Sequence, residues 1–130
     1  MNSTPHVLVV ASTPRIAEDT ISRLTDAGFR VTLVSSFKAA RKGLESHPDL
    51  LIAEVRLGEY NGMQLALRAR NQGIRAIVLG ENDLITRREA ESLGADYLAD
   101  ACDPAMLNAA VRAAGVQPRR RVNRRSTHAA

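Results

Sequence analysis

Short apolar runs alternate along the chain with segments in which apolar residues recur three and four positions apart. The runs are HVLVVA (6–11), FRVTLV (29–34), DLLIAEV (49–55), AIVLG (76–80) and ADYLA (95–99). The first, third and fourth are almost continuously apolar, which is typical of strands buried on both faces of a sheet. The second run alternates apolar and polar residues, which favours an edge position.

Helix start and stop signals fill the intervals between these predicted strands. A capping residue followed by proline opens the first and last helices, at Thr13-Pro14 and Asp103-Pro104, and Ser36 opens the second. The other predicted boundaries are a start after Asn61-Gly62, a start near residue 84, and ends at Gly28, His47, Gly73, Gly94 and Gly115. The pattern is therefore a strand followed by a helix, five times over.

Strands that alternate with helices predict a parallel sheet with right-handed crossovers and helices on both faces. In such sheets, ligands bind beyond the carboxyl ends of the strands. Functional side chains are therefore expected just after residues 10, 54, 80 and 99. The stretch LLIAEVRLGEYNG (50–62) places a carboxylate, Glu54, at one of these positions.

Three stretches resemble the receiver domain of bacterial response regulators: HVLVVAST, HPDLLIAEVRLGEYNGMQL and GADYLADACDPAML. The resemblance covers roughly residues 5–115. It implies a flavodoxin-like (βα)5 three-layer α/β sandwich whose parallel five-stranded sheet has the order 2-1-3-4-5. It also implies a role in two-component phosphorelay signalling. The predicted domain spans residues 1–116, and residues 117–130 are expected to form a basic, disordered tail.

The residues that the family uses for phosphoryl transfer are replaced in this chain. Receivers carry two acids after the first strand, an aspartate at the end of the third, a Ser or Thr after the fourth and a Lys after the fifth. The matching positions here hold Ala11 and Ser12, Glu54, Gly80 and Asp100. The resemblance therefore implies a degenerate pocket, a pseudo-receiver that is not an enzyme, has no catalytic residue and is not expected to bind Mg²⁺.

Glu54 stands at the phosphoacceptor-equivalent position and has three interpretations. It can mimic a phosphorylated aspartate, hydrogen-bond locally to Ser12 or to loop backbone, or be a tolerated relic. The local interpretation is favoured, because the hydroxyl and lysine that sense the charge in receivers are replaced. A weak cation site formed by Glu54, Glu81 and Asp100 is a further hypothesis, ranked below solvated loop acids.

Tyr97 matches the aromatic residue whose rotamer follows phosphorylation in receivers. The simpler interpretation is a half-buried strand aromatic with its hydroxyl in water. A third is a contact on the face made by the fourth helix, the fifth strand and the fifth helix. That face is the family's usual partner surface, and a homodimer could form through it.

Composition and charge add two constraints. The chain is 45% hydrophobic and 3% aromatic and has one cysteine, Cys102, so no internal disulfide forms. No run of 18 apolar residues is present, so we expect no membrane-spanning segment and no membrane partner. The single cysteine favours a reduced, cytoplasmic protein. Residues 1–103 hold 12 Lys or Arg and 14 acids, whereas residues 104–130 hold six Arg and no acid. Five of these arginines lie in the tail: Arg119, Arg120, Arg121, Arg124 and Arg125.

Two functions remain in competition. The leading one is a phosphorylation-independent module that binds a protein partner in a signalling pathway. The alternative is a nucleic-acid-associated protein that uses the domain for dimerisation and the arginine tail as a non-specific tether. The tail can equally be a solubilising segment or a linker. A nucleotide-binding enzyme is disfavoured, because the turn after the first strand has no glycine.

Overall fold

A parallel sheet covered by helices on both faces makes up the domain. The computed structural model describes residues 4–57, 60–99 and 103–116. The strands, in chain order, are β1 (His6–Val10), β2 (Arg30–Val34), β3 (Leu50–Glu54), β4 (Arg56–Leu57), β5 (Tyr60–Asn61), β6 (Arg75–Leu79) and β7 (Asp96–Leu98). The helices are α1 (Pro14–Asp26), α2 (Phe37–Leu44), α3 (Gly62–Asn71), α4 (Leu84–Ser92) and α5 (Pro104–Ala113).

The strand order of the main sheet is β2-β1-β3-β6-β7, and every neighbouring pair is parallel. This confirms the predicted flavodoxin-like sandwich and its 2-1-3-4-5 order, and it places the alternating second run at an edge. Glu54 pairs in register with Leu79, the last residue of β6. The ends of β3 and β6 therefore lie side by side, and Gly80 follows directly.

Alternate residues of the strands supply two apolar layers. Val7, Val9 and Ile52 pack on the face covered by α1 and α5. Leu8 and Leu51 pack on the opposite face, with α2, α3 and α4. Because both faces are buried, the central strands read as continuous apolar runs.

A short antiparallel hairpin that the sequence analysis did not predict lies between β3 and α3. β4 pairs with β5, and each strand has only two residues, which is too short to produce an apolar pattern in the sequence. The Gly62 N–H donates to the Val55 carbonyl at 2.7 Å and closes the segment. A side chain at Gly62 would collide with the backbone carbonyl of Glu54, so glycine is required where the loop returns across the end of β3.

Several features that the sequence analysis singled out fall outside the described residues: Asp100, Cys102, and the whole tail from 117 to 130 with its five arginines. Within the described part of the chain, no helix is both long and apolar enough to span a membrane.

Candidate functional site at the carboxyl ends of the strands

Glu54, the last residue of β3, is almost completely buried, with 6% of its surface exposed. Its Oε1 atom accepts hydrogen bonds from the N–H groups of Ser12 at 2.7 Å and Thr13 at 2.9 Å. Its Oε2 atom accepts a hydrogen bond from the Thr13 hydroxyl at 2.8 Å. Both carboxylate oxygens are therefore bound to the loop between β1 and α1.

The N-terminus of α1 explains why a carboxylate is stable at this position. Thr13 is the N-cap residue, as the sequence predicted, but its side chain makes no capping hydrogen bond within α1. Its hydroxyl binds Glu54 instead. The first N–H groups of a helix lack partners inside the helix, and the helix dipole favours negative charge there. Glu54, on β3, thus accepts the hydrogen bonds of the residues that lead into α1.

The two residues at the position of the expected acidic pair contribute backbone but no charge. Ala11 is buried, and its N–H donates to the Val34 carbonyl at 3.1 Å, which extends the pairing of β1 with β2. The Ser12 side chain is exposed, and its hydroxyl reaches the Arg56 carbonyl only at 3.4 Å, a long hydrogen bond. The contribution of Ser12 is its N–H donation to Glu54.

Tyr97, in the last parallel strand, points into the interior with 7% of its surface exposed. Its hydroxyl donates to the Glu81 carbonyl at 2.6 Å, and the Arg87 guanidinium lies over its ring at 5.2 Å from the centroid. Burial is the main cause that raises the pKa of the Tyr97 phenol. The nearby Asp83 carboxylate also raises this pKa, and Arg87 opposes it. The hydroxyl is bonded to protein, whereas the simpler interpretation placed it in water.

A cavity of about 400 Å³ lies between Glu54 and Tyr97. The acidic residues Glu54, Glu81 and Asp83 line it, and Arg56 is the only cationic residue among the described residues that line it. The Asp83 carboxylate is engaged with the first turn of α4, because it accepts hydrogen bonds from the Ile85 N–H at 3.0 Å and the Thr86 hydroxyl at 2.7 Å.

The structure brings together four of the sequence-predicted positions: Ser12, Glu54, Gly80 and Tyr97. Glu81 lines the same cavity, but no group of three or more His, Cys, Asp or Glu within residues 4–57, 60–99 and 103–116 is arranged to hold a metal ion. Asp100, the third member of the hypothetical cation site, lies outside those ranges.

Sequence reasoning missed the two residues that fix this site, Thr13 and Arg87. Thr13 was assigned only to capping, although its place directly after β1 puts it beside any side chain at the end of β3. Nothing in the sequence distinguished Arg87 as a site residue, because one arginine on a polar helix surface resembles any other. Its contact with Tyr97 depends on how α4 packs beside β7.

Comparisons with solved structures identify the fold as that of response regulator receiver domains. A putative response regulator from Chloroflexus aurantiacus J-10-fl is 26% identical, with a TM-score of 0.79, over 86% of this chain and 98% of that one. A two-component response regulator from Clostridium difficile is 22% identical, with a TM-score of 0.77, over 92% and 98%. The chemotaxis response regulator CheY4 of Vibrio cholerae is 21% identical, with a TM-score of 0.75, over 86% and 99%.

No protein-family model and no curated protein matches the sequence. The assignment of the receiver fold therefore rests on similarity between three-dimensional structures. The function of the site depends on its own residues, because one fold hosts many functions.

Proposed function

We propose that this chain is an atypical receiver, a pseudo-receiver, that binds a protein partner in two-component-type signalling without being phosphorylated. The observation that carries the proposal is that three donors from the loop before α1 hydrogen-bond to both oxygens of the Glu54 carboxylate. The proposed partner surface is the face made by α4, β7 and α5, and no residue has a catalytic role.

An acyl-phosphate forms when a carboxylate oxygen attacks a phosphoryl donor, so one oxygen must direct a lone pair at the donor. In Glu54 one oxygen accepts two N–H groups and the other accepts the Thr13 hydroxyl. Attack by either oxygen would draw electron density away from the hydrogen bonds that this oxygen accepts and would weaken them. Bonds to a charged acceptor are roughly twice as strong as neutral ones, so this weakening opposes reaction.

The charges around Glu54 also oppose phosphorylation. Phosphoryl transfer depends on positioning and on neutralising the negative charge of the transferred group. Ala11 and Ser12 offer no carboxylates to hold Mg²⁺, and the cavity lining contributes Glu81 and Asp83 against Arg56. A phosphoryl group on Glu54 would face more negative than positive charge, so the proposal includes no Mg²⁺ cofactor.

The direct test is treatment of the purified protein with acetyl phosphate and Mg²⁺, and separately with beryllofluoride. We expect no increase in intact mass and no shift of the amide resonances of residues 12, 13 and 54. The matched control is Glu54→Gln, which preserves the size of the side chain and removes the nucleophile. A base-labile phosphoryl adduct that forms on the wild type and disappears in Glu54→Gln would refute the proposal.

The arginine tail supports a second candidate function, a non-specific nucleic-acid tether. Residues 104–130 hold six Arg and no acid, and five of these arginines lie between 119 and 125. Five phosphate contacts would give a log–log salt slope of about −4 to −5 for duplex DNA. The test compares duplex binding by the full chain, a chain ending at residue 116, and a full-length chain with the five arginines replaced by glutamine.

Loss of salt-sensitive binding in both variants would favour the tether. Binding that survives in both variants, or that does not respond to salt, would exclude it. A protein partner that is retained after truncation would favour the interaction module.

A further inference from the structure

Gly80 follows β6, and its backbone gives no reason for glycine. Its φ is not in the left-handed region, unlike that of Gly73 or Gly94. The reason lies in the space beside its Cα. A Cβ built there would collide with the Tyr97 hydroxyl and stand 2.9 Å from Cζ of the ring and 3.0 Å from Cγ2 of Val55. A side chain at position 80 and the inward Tyr97 therefore exclude each other in this arrangement.

The hydroxyl of Tyr97 holds the segment that leads into α4. It donates to the Glu81 carbonyl at 2.6 Å, one residue after Gly80 and three residues before α4 begins. Arg87, one turn into α4, lies over the same ring at 5.2 Å. One side chain of β7 therefore contacts the connecting segment and the first turn of the helix at once.

The first turn of α4 presents two large apolar side chains to solvent. Leu84 is 59% exposed and Ile85 is 79% exposed. Both follow Asp83, whose carboxylate caps this turn through the Ile85 N–H. The orientation of this exposed pair depends on the segment from Gly80 to Asp83, which Tyr97 holds.

We propose that Gly80 and Tyr97 form a conformational lock that keeps the first turn of α4, with exposed Leu84 and Ile85, in one orientation whatever happens at Glu54. The absence of a side chain at position 80 leaves space for the inward ring, and the contacts of the ring with Glu81 and Arg87 hold the connecting segment. The lock rests on the proposed function in one respect only, the role of this surface in binding a partner. The packing of Tyr97 against Gly80 does not depend on the proposed function.

A double-mutant cycle between positions 80 and 97 tests the lock. Gly80→Ala should raise the unfolding equilibrium constant roughly tenfold in the wild type, because its methyl group displaces the ring. In a Tyr97→Leu background, the same Gly80→Ala change should have much less effect, because leucine has no hydroxyl or Cζ at the point of collision. The matched control is Gly43→Ala, whose Cβ would meet Leu8 and not Tyr97. Its effect should be equal in both backgrounds.

A second measurement follows the α4 turn directly. Tyr97→Leu should shift the amide resonances of Leu84, Ile85 and Thr86, whereas Glu54→Gln should leave them in place. Equal effects of Gly80→Ala in the two backgrounds would overturn the lock, as would unchanged α4 resonances in Tyr97→Leu. If Gly80→Ala alone fails to fold, refolding on addition of Tyr97→Leu supports the lock and failure to refold overturns it. Phosphorylation of Glu54 would refute the proposed function and leave this cycle unaffected.

Discussion

Two buried polar side chains meet the same helix, α1, and their surroundings are opposite. The Glu54 carboxylate reaches the N-terminus of α1 from β3 and accepts three hydrogen bonds there. The Thr20 side chain lies in the middle of α1, is completely buried, and its hydroxyl has no hydrogen-bond partner among the described residues. The charged carboxylate accepts three hydrogen bonds, whereas the neutral hydroxyl has no partner among the described residues.

The difference shows that what a buried polar group contributes depends on its partners more than on its polarity. A carboxylate is far more costly to remove from water than a hydroxyl, yet donors at a helix start can offset that cost. A buried hydroxyl without a partner has no such compensation. Glu54 should therefore stabilise the fold, and Thr20 should weaken it.

Replacing Glu54 by leucine should cause the largest change in the free energy of unfolding. The substitution keeps an apolar side chain of similar size at the end of β3 but leaves the N–H groups of Ser12 and Thr13 without their acceptor. We expect the free energy of unfolding to fall by about 2–3 kcal/mol. Urea denaturation followed by circular dichroism measures this change.

Glu54→Gln is the matched control for that prediction. The glutamine carbonyl can still accept the two N–H groups, and its amide can donate to the Thr13 hydroxyl, so only the charge is lost. The expected cost is about 1 kcal/mol, because hydrogen bonds to neutral acceptors are weaker. Equal costs for leucine and glutamine would show that the hydrogen bonds to the loop contribute little.

Replacing Thr20 by valine should stabilise the protein, whereas the substitutions of Glu54 should destabilise it. Valine has nearly the same shape and a similar helix propensity, so the packing is preserved and the unpaired hydroxyl is removed. We expect the free energy of unfolding to rise by about 1 kcal/mol. The reference variant is Thr20→Ser, which keeps the hydroxyl and loses a methyl group, and it should be less stable than the wild type. Destabilisation by valine would mean that the hydroxyl has a partner.

The order of the elements, the strand order and the edge position of β2 could be predicted because they follow from runs and caps that are local in sequence. The position of Glu54 at the carboxyl end of a central strand could be predicted from the same local apolar runs. The partners of Glu54 could not be fixed, since they depend on how the loop at residues 12 and 13 approaches β3. The missing hydrogen-bond partner of Thr20 is a property of packing that no pattern of residues reveals.

The smallest expected effect concerns the third donor to Glu54, the Thr13 hydroxyl. Thr13→Val keeps the β-branched shape at the N-cap and both N–H bonds to Oε1, and it removes only the 2.8 Å bond to Oε2. Because Thr13 is exposed and water can replace part of that bond, we expect a loss of about 0.5–1 kcal/mol in the free energy of unfolding. Thr13→Ser keeps the hydroxyl and should lie closer to the wild type in the same urea titration. A larger loss for serine than for valine would show that the methyl group, and not the hydroxyl, holds this loop against Glu54.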